Sequence, residues 1–273
     1  MLMKLLNHQP KPLKTNNSLQ TKITFLGTGT SQGVPLIGCE CDVCISDDIR
    51  DKRLRTSILV ERGNTTIVID SGPDFRQQML REKVKKLDGL VFTHEHKDHI
   101  AGMDDIRAFN FISKKPVDVY CTKQVEKALR REFFYAFEND YPGVPELNIF
   151  NFDVDEFTIG DITLLPIKVY HAQLEIRGFR IGDFTFITDA NYISEKEKQK
   201  IIGSKAMVLN ALRRNTHPTH FNLDQALFLL DELKIENGYL IHLSHQMGKH
   251  ADVSLELPAN RFVAYDGLQI IIE

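Results

Sequence analysis

LDGLVFTHEHKDHIAGMDDIR, residues 87–107, is the stretch on which the reading of this chain turns. An apolar run, Leu90 to Phe92, leads directly into His94, His96, Asp98 and His99. In extended chain, residues two apart project to the same side, so His94 and His96 can grip one cation while Asp98 and His99 turn toward a second beside it. Imidazole with carboxylate suits Zn, Mn or Fe and leaves coordination positions open for water. Histidine makes up only 10 of 273 residues, and a charged surface turn does not explain three of them packed around an aspartate.

One loop cannot complete two coordination spheres, so further ligands must come from other strand ends. DITLLPIKVYH ends in His171, DFTFITDAN carries Asp189, and GYLIHLSH carries His242 and His245. A polar side chain capping an apolar strand costs free energy unless something pairs with it, and a cation would. For each residue alone, an ordinary satisfied strand end is an equal reading; together with the 94–99 cluster, ligation is favoured.

The rest of the chain supplies a setting for such a site. With 42% hydrophobic and 26% charged residues, one large globular domain is expected. A net charge of −3 and a pI near 6.4 give no general pull toward nucleic acid, so a small molecule is the expected partner. No apolar run approaches the roughly 20 residues that span a bilayer. The opening MLMKLLNHQPKPLKTNN has no small-residue cleavage site, so a soluble, cytoplasmic protein is expected. Residues 1–20 read as a polar extension and 21–273 as the domain. Twelve short β-like runs, from ITFLG to LQIIIE, are interrupted by helix-like stretches at 74–84, 105–113, 123–137, 194–202 and 223–234. Strands and helices that do not strictly alternate suggest two mixed sheets packed face to face with helices outside, an α+β, four-layer αββα sandwich.

GTGTSQGVPLIGCECDVC, residues 27–44, spaces its first glycines GxGxxxG and leads into cysteines rather than a helix, which disfavours a dinucleotide loop. Cys39, Cys41 and Cys44 supply three thiolates of a tetrahedral structural Zn site and call for one more ligand. Cys121, alone in VDVYC, reads as a buried thiol.

HxHxDH followed by a distant His, an Asp and a final His closely resembles the metallo-β-lactamase superfamily. The resemblance implies that His94, His96 and His171 hold one metal, that Asp98, His99 and His242 hold the other, and that Asp189 bridges them. It further implies that Asp70, in IVIDSGPDFR, is a supporting carboxylate that orients the metal loop. Together with the cysteine opening, the chain from about Ile23 onward is similar to the PhnP family of phosphoribosyl 1,2-cyclic phosphate phosphodiesterases. That likeness implies two catalytic divalent metals, Zn or Mn, and one structural Zn whose fourth ligand is His245. It also implies an active-site acid at His220 in THPTHFNLD, with His217 a close rival. The implied activity is hydrolysis of a small cyclic phosphate, with any self-association expected as a homodimer. Arg177, Arg180, Arg213 and Arg214 are candidates for substrate contact by charge and position. Two alternatives share parts of the pattern: a tRNA 3'-processing endonuclease, whose Gly/Pro-rich arm is not found here, and a noncatalytic or cofactor-biosynthesis protein like the pyrroloquinoline quinone B protein.

Overall fold

The computed structural model describes residues 19–138 and 142–272, so the expected N-terminal extension lies outside the described residues up to position 18. The first half of the chain forms β1 (Thr21–Gly27), β2 (Ser57–Arg62), β3 (Thr65–Ile69), α1 (Phe75–Arg81), β4 (Gly89–Val91), α2 (Lys97–Ile100), α3 (Arg107–Ser113), β5 (Val117–Cys121), α4 (Lys123–Glu132) and β6 (Leu147–Asn151). The second half forms β7 (Phe157–Ile159), β8 (Ile162–His171), β9 (Leu174–Ile181), β10 (Phe184–Ile187), α5 (Glu195–Ile201) and β11 (Ala206–Asn210). It continues with α6 (Leu223–Glu232), β12 (Asn237–Ile241), α7 (His250–Glu256), β13 (Arg261–Val263) and β14 (Gln269–Ile272).

The strands assemble into two seven-stranded sheets, ordered β14-β1-β2-β3-β4-β5-β6 and β13-β12-β11-β10-β9-β8-β7. From β14 in the first sheet and from β7 in the second, three antiparallel pairings are followed by three parallel ones, so the two halves repeat one pattern. Alternation along the strands sorts side chains into layers. Ile23, Phe25, Ile58, Val60, Ile67 and Ile69 from one sheet meet Phe179, Phe184, Phe186 and Val208 from the other in the central core. The opposite faces carry Leu59, Val68 and Leu90 against residues of α1, α3 and α4, and Met207, Leu209 and Leu240 against residues of α5, α6 and α7. The expected αββα sandwich is what forms.

Two strands and two helices escape the sequence reading. In β6 no residue is fully buried, and β7 is three residues long, so neither writes a clear alternation. Helix α2 is one turn inside the histidine loop, and α7 buries only His250 and Val253. The longer helix-like stretches are real but shorter than expected; 123–137 breaks at Phe133 into a 3₁₀ turn. Among the described residues, no helix is long and apolar enough to cross a membrane.

The layering predicts a sharp contrast in stability. Phe186→Ala, in the central core, should cost about 3–5 kcal/mol. Phe228→Ala, on the outer surface of α6 and 70% exposed, should stay within about 0.5 kcal/mol. Urea unfolding of the two variants checks both values.

Candidate metal centre

Asp70, His94, Asp189 and His242 each lie just beyond a strand, and His171 is the last residue of β8, so all five gather at one edge of the sandwich. Asp70 after β3 and Asp189 after β10 occupy matching places in the two sheets. Both adopt left-handed backbone, with φ of 67° and 59°, as does His242 at 55°. Such conformations cost non-glycine residues free energy and are held only where the surroundings over-determine them. Here the chain turns sharply at each strand end and aims the functional group inward.

Asp70 is completely buried and organises its neighbours. It accepts hydrogen bonds from the Thr93 backbone N–H and hydroxyl, each at 2.8 Å, and from His99 Nδ1 at 2.7 Å. Because the Thr93 hydroxyl donates to Asp70, its oxygen is left to accept from His94 Nδ1, 2.9 Å away. His171 Nδ1 donates to the Thr219 carbonyl at 2.8 Å. Three imidazoles thereby keep a proton on Nδ1 and turn Nε2 inward, the arrangement that outer partners impose on ligating histidines. Glycines let the histidine loop lie against this frame: a Cβ on Gly72 would sit 2.1 Å from the Asp98 carbonyl oxygen.

The Nε2 atoms of His94 and His99 are buried with no hydrogen-bond partner. His99 Nε2 lies 3.2 Å from Asp98 and 3.4 Å from Asp189, without hydrogen-bond geometry to either, and His94 Nε2 lies 4.0 Å from Asp189. His242 Nδ1 is 3.1 Å from the other Asp189 oxygen. Ligand atoms of Asp98, His99, Asp189 and His242 all lie within 4.8 Å of one another. The rings of His94, His96 and His171 cluster beside them, with His96 4.7 Å from His94 and 5.1 Å from His171 between centroids.

Electrostatics fit a cation here. Burial disfavours a charged His99, yet Asp189, Asp98 and Asp70 together hold its pKa well above the usual value. Burial likewise opposes ionisation of Asp189, but the neighbouring His242 and His99 keep its pKa well below the carboxylate range. Burial, aided by His99, pushes His94 far down, leaving it neutral and able to ligate. Buried carboxylates that stay ionised by drawing a proton onto His99 form a site in which a divalent cation can take that proton's place, with His94 already neutral.

His220 also reaches this cluster. Its ring lies 4.6 Å from that of His171, within ligand reach of His171 and Asp189, and its Nδ1 is buried without a partner. Burial, reinforced by His242, pushes its pKa down to about 3. His217 stacks 5.2 Å outside it, with Nδ1 turned to Thr219.

The cysteine site is a separate cluster. His245 Nδ1 stands 3.3 Å from Cys39 Sγ, 3.3 Å from Cys41 Sγ and 3.6 Å from Cys44 Sγ. Tetrahedral Zn with ordinary Zn–S and Zn–N bonds separates such atoms by about 3.6 Å. All four cysteines are free thiols; a hydrogen bond from the Cys44 backbone, helped by His245, lowers Cys41 to about 6, and burial raises lone Cys121 to about 12.

The arginines expected to meet substrate are engaged elsewhere. Arg177 is ion-paired to Asp153 and Glu175. Arg180 donates to the carbonyls of Lys200 and Ile202 behind α5, and Arg214 pairs with Glu256. Arg213 braces the His217 loop through the Thr216 carbonyl. The residue that sequence reading passed over is Thr93; a buried threonine directly before the first histidine was its only signal.

The Beta-lactamase superfamily domain matches residues 65–243. With that match over the ligand-bearing strands, the chain belongs to the β-lactamase superfamily. A solved diphosphatase of the PhnP family superposes with a TM-score of 0.87 at 36% identity, covering 93% of this chain and 97% of that one. Within the superfamily the chain therefore belongs to the PhnP family, and its fold is the metallo-β-lactamase fold. It is also 38% identical over 91% of its length to an octanoyltransferase of Porphyromonas gingivalis, of which it spans about half, 51%. An exodeoxyribonuclease, YycJ of Bacillus anthracis, is 27% identical over 62% of this chain and 68% of its own.

The Asp70 relay makes Thr93 a positioning residue. Thr93→Val should weaken binding of catalytic metal about 10–100-fold, while Thr93→Ser restores it and thermal unfolding shows both variants folded. Chelator competition measures the affinities.

Proposed function

We propose that this protein is a phosphodiesterase using two divalent metals, Zn or Mn, and that it opens a small cyclic phosphate such as phosphoribosyl 1,2-cyclic phosphate. The observation that carries this reading is the pair of buried, partnerless Nε2 atoms on His94 and His99 facing Asp98 and Asp189. His94, His96 and His171 would hold one metal, Asp98, His99 and His242 the second, and Asp189 both; Cys39, Cys41, Cys44 and His245 would hold a structural Zn. When bound, the two catalytic cations supply Lewis acidity toward the phosphoryl oxygens and a water acidified enough to act near neutral pH.

The chain's own residues do the rest. Asp70 and Thr93 hold the imidazole lone pairs on target, so the site needs little reorganisation when charge develops. His220 would protonate the departing alkoxide. It is neutral in the buried pocket, and an anionic phosphodiester beside its ring is what would raise its pKa, so protonation belongs to the substrate complex.

The PhnP-family relative named as a diphosphatase favours a second reading, in which the same centre cleaves a phosphoanhydride. There the leaving group is a phosphate, which departs with far less need of a proton. A tRNA-sized substrate is supported less, because the net charge of −3 gives no broad attraction to a polyanion.

Metal-loaded protein assayed on cyclic phosphates, linear diesters and diphosphates separates the readings. His220→Ala should keep its catalytic metals and lose about 10²–10⁴-fold in turnover of a cyclic alkyl phosphate. It should lose much less on an aryl diester, whose phenolate leaves unaided. Loss of a metal in this variant would make His220 a ligand, and equal losses on both substrates would reject the acid role.

A further inference from the structure

The glycine-rich stretch GTGTSQG, residues 27–33, is left without a role by the metal centre. It ends in a tight turn: the Gly33 N–H donates to the Thr30 carbonyl at 2.8 Å, and Gly33 adopts left-handed backbone with φ of 69°. Two anchors set this turn beside the histidine cluster. The Thr30 N–H donates to the Leu243 carbonyl at 3.1 Å, and the Thr30 hydroxyl lies 3.4 Å from His242 Nε2. From the other side, Arg55 Nε donates to the Ser31 carbonyl at 3.2 Å. Arg55 itself stands against the histidine loop, since a Cβ on Gly72 would meet both Arg55 Cβ, at 3.4 Å, and the Asp98 carbonyl oxygen. The turn and Arg55 therefore reach from His242 to the backbone of Asp98.

What this corner presents is unpaired donors. Ser31 and Gln32 are exposed, and among the described residues neither their backbone N–H groups nor the Ser31 hydroxyl has a hydrogen-bond partner. Successive N–H groups in a turn form a concavity suited to an anion. Arg55 adds a guanidinium on a side chain that is 29% exposed. Its Nη1 donates to both oxygens of Asp74, at 3.0 and 3.2 Å, which fixes the side chain, while Nη2 has no hydrogen-bond partner among the described residues. Arg177 and Arg213, by contrast, have every guanidinium nitrogen engaged. Asp74 offsets the charge of Arg55, so an anion here is held by directed N–H groups more than by net charge, which favours a phosphate with several acceptor oxygens.

We propose that the Thr30–Gly33 turn and Arg55 bind a second phosphate, one carried on the sugar of the cyclic substrate away from the scissile phosphate. Ser31 and Gln32 supply backbone N–H donors, and Arg55 supplies Nη2 and holds the turn through the Ser31 carbonyl. These residues touch no reacting atom and act on which substrate is accepted. The proposal rests on the phosphodiesterase reading for its connection to catalysis, and on the turn alone for the binding.

The test compares kcat/KM of metal-loaded enzyme on ribose 1,2-cyclic phosphate with and without a 5-phosphate. The 5-phosphate should raise it about tenfold or more, the worth of one hydrogen bond to a charged group. The ratio should fall to about threefold or less in Arg55→Ala, and likewise in Ser31→Pro, which removes one N–H and the hydroxyl at a turn position where proline is accepted. Because the readout is a ratio within each variant, a general loss of activity cancels. A wild-type ratio near one, or a folded variant that keeps the wild-type ratio, overturns the subsite. If no phosphodiester is hydrolysed, the phosphodiesterase reading fails by itself, and calorimetry of the metal-loaded protein with ribose 1-phosphate and ribose 1,5-bisphosphate decides the subsite. A bisphosphate bound about tenfold more tightly, with the advantage gone in Arg55→Ala, supports it; equal affinities in the wild type, or an advantage unchanged by Arg55→Ala, overturn it.

Discussion

The fully buried carboxylate of Asp70 is the constraint from which the rest of the centre follows. Taken out of water, it must be paired or protonated, and burial raises its pKa even against the opposing pull of His99 and Thr93. Thr93 and His99 meet that demand, and in doing so keep two imidazoles protonated on Nδ1 with Nε2 turned inward. A group that touches no substrate thus determines what the inner residues can bind. The cost of its left-handed backbone is offset by the same three hydrogen bonds.

The repeated sheet pattern explains why the ligands converge. Each sheet switches from antiparallel to parallel pairing at the strand that precedes an aspartate, Asp70 in one and Asp189 in the other. The two aspartates therefore approach from opposite sheets at one edge, one orienting histidines and the other lying among their lone pairs. Asn210, at the end of β11, fastens the turn after Asp189 through hydrogen bonds to the Ala190 N–H and carbonyl. The cysteine cluster ties residues 39–44 to His245, three residues beyond His242, so the outer loop and the last inner histidine share one segment.

Much of this was legible in the sequence because the chemistry is carried by rare residue types at strand ends. The spacing of His94 to His99 and of Cys39 to Cys44 announced two clusters, and alternation in the central strands announced the sandwich. What escaped depends on atoms rather than residue types. No spacing shows which nitrogen of His94 carries a proton, so Thr93 read as an ordinary strand residue. Charge alone suggested Arg177 for substrate, whereas Asp153 and Glu175, brought in by the fold, already occupy it. The duplication was invisible because it resides in strand pairing, with no matching period in the sequence. Strands β6 and β7 were missed because exposed or very short strands write little alternation.

The central claim is that two clusters of side chains, one of histidines and aspartates and one of cysteines with His245, are separate metal sites. Metal analysis by plasma mass spectrometry on purified wild type, His96→Ala and Cys41→Ser tests it most directly. The account predicts three metals per chain in the wild type, a loss confined to the catalytic metals in His96→Ala, and a loss of one Zn with catalytic metals retained in Cys41→Ser. A wild-type protein that binds no metal at the histidine cluster when supplied with Zn or Mn, or variants that lose the same metals together, would contradict it.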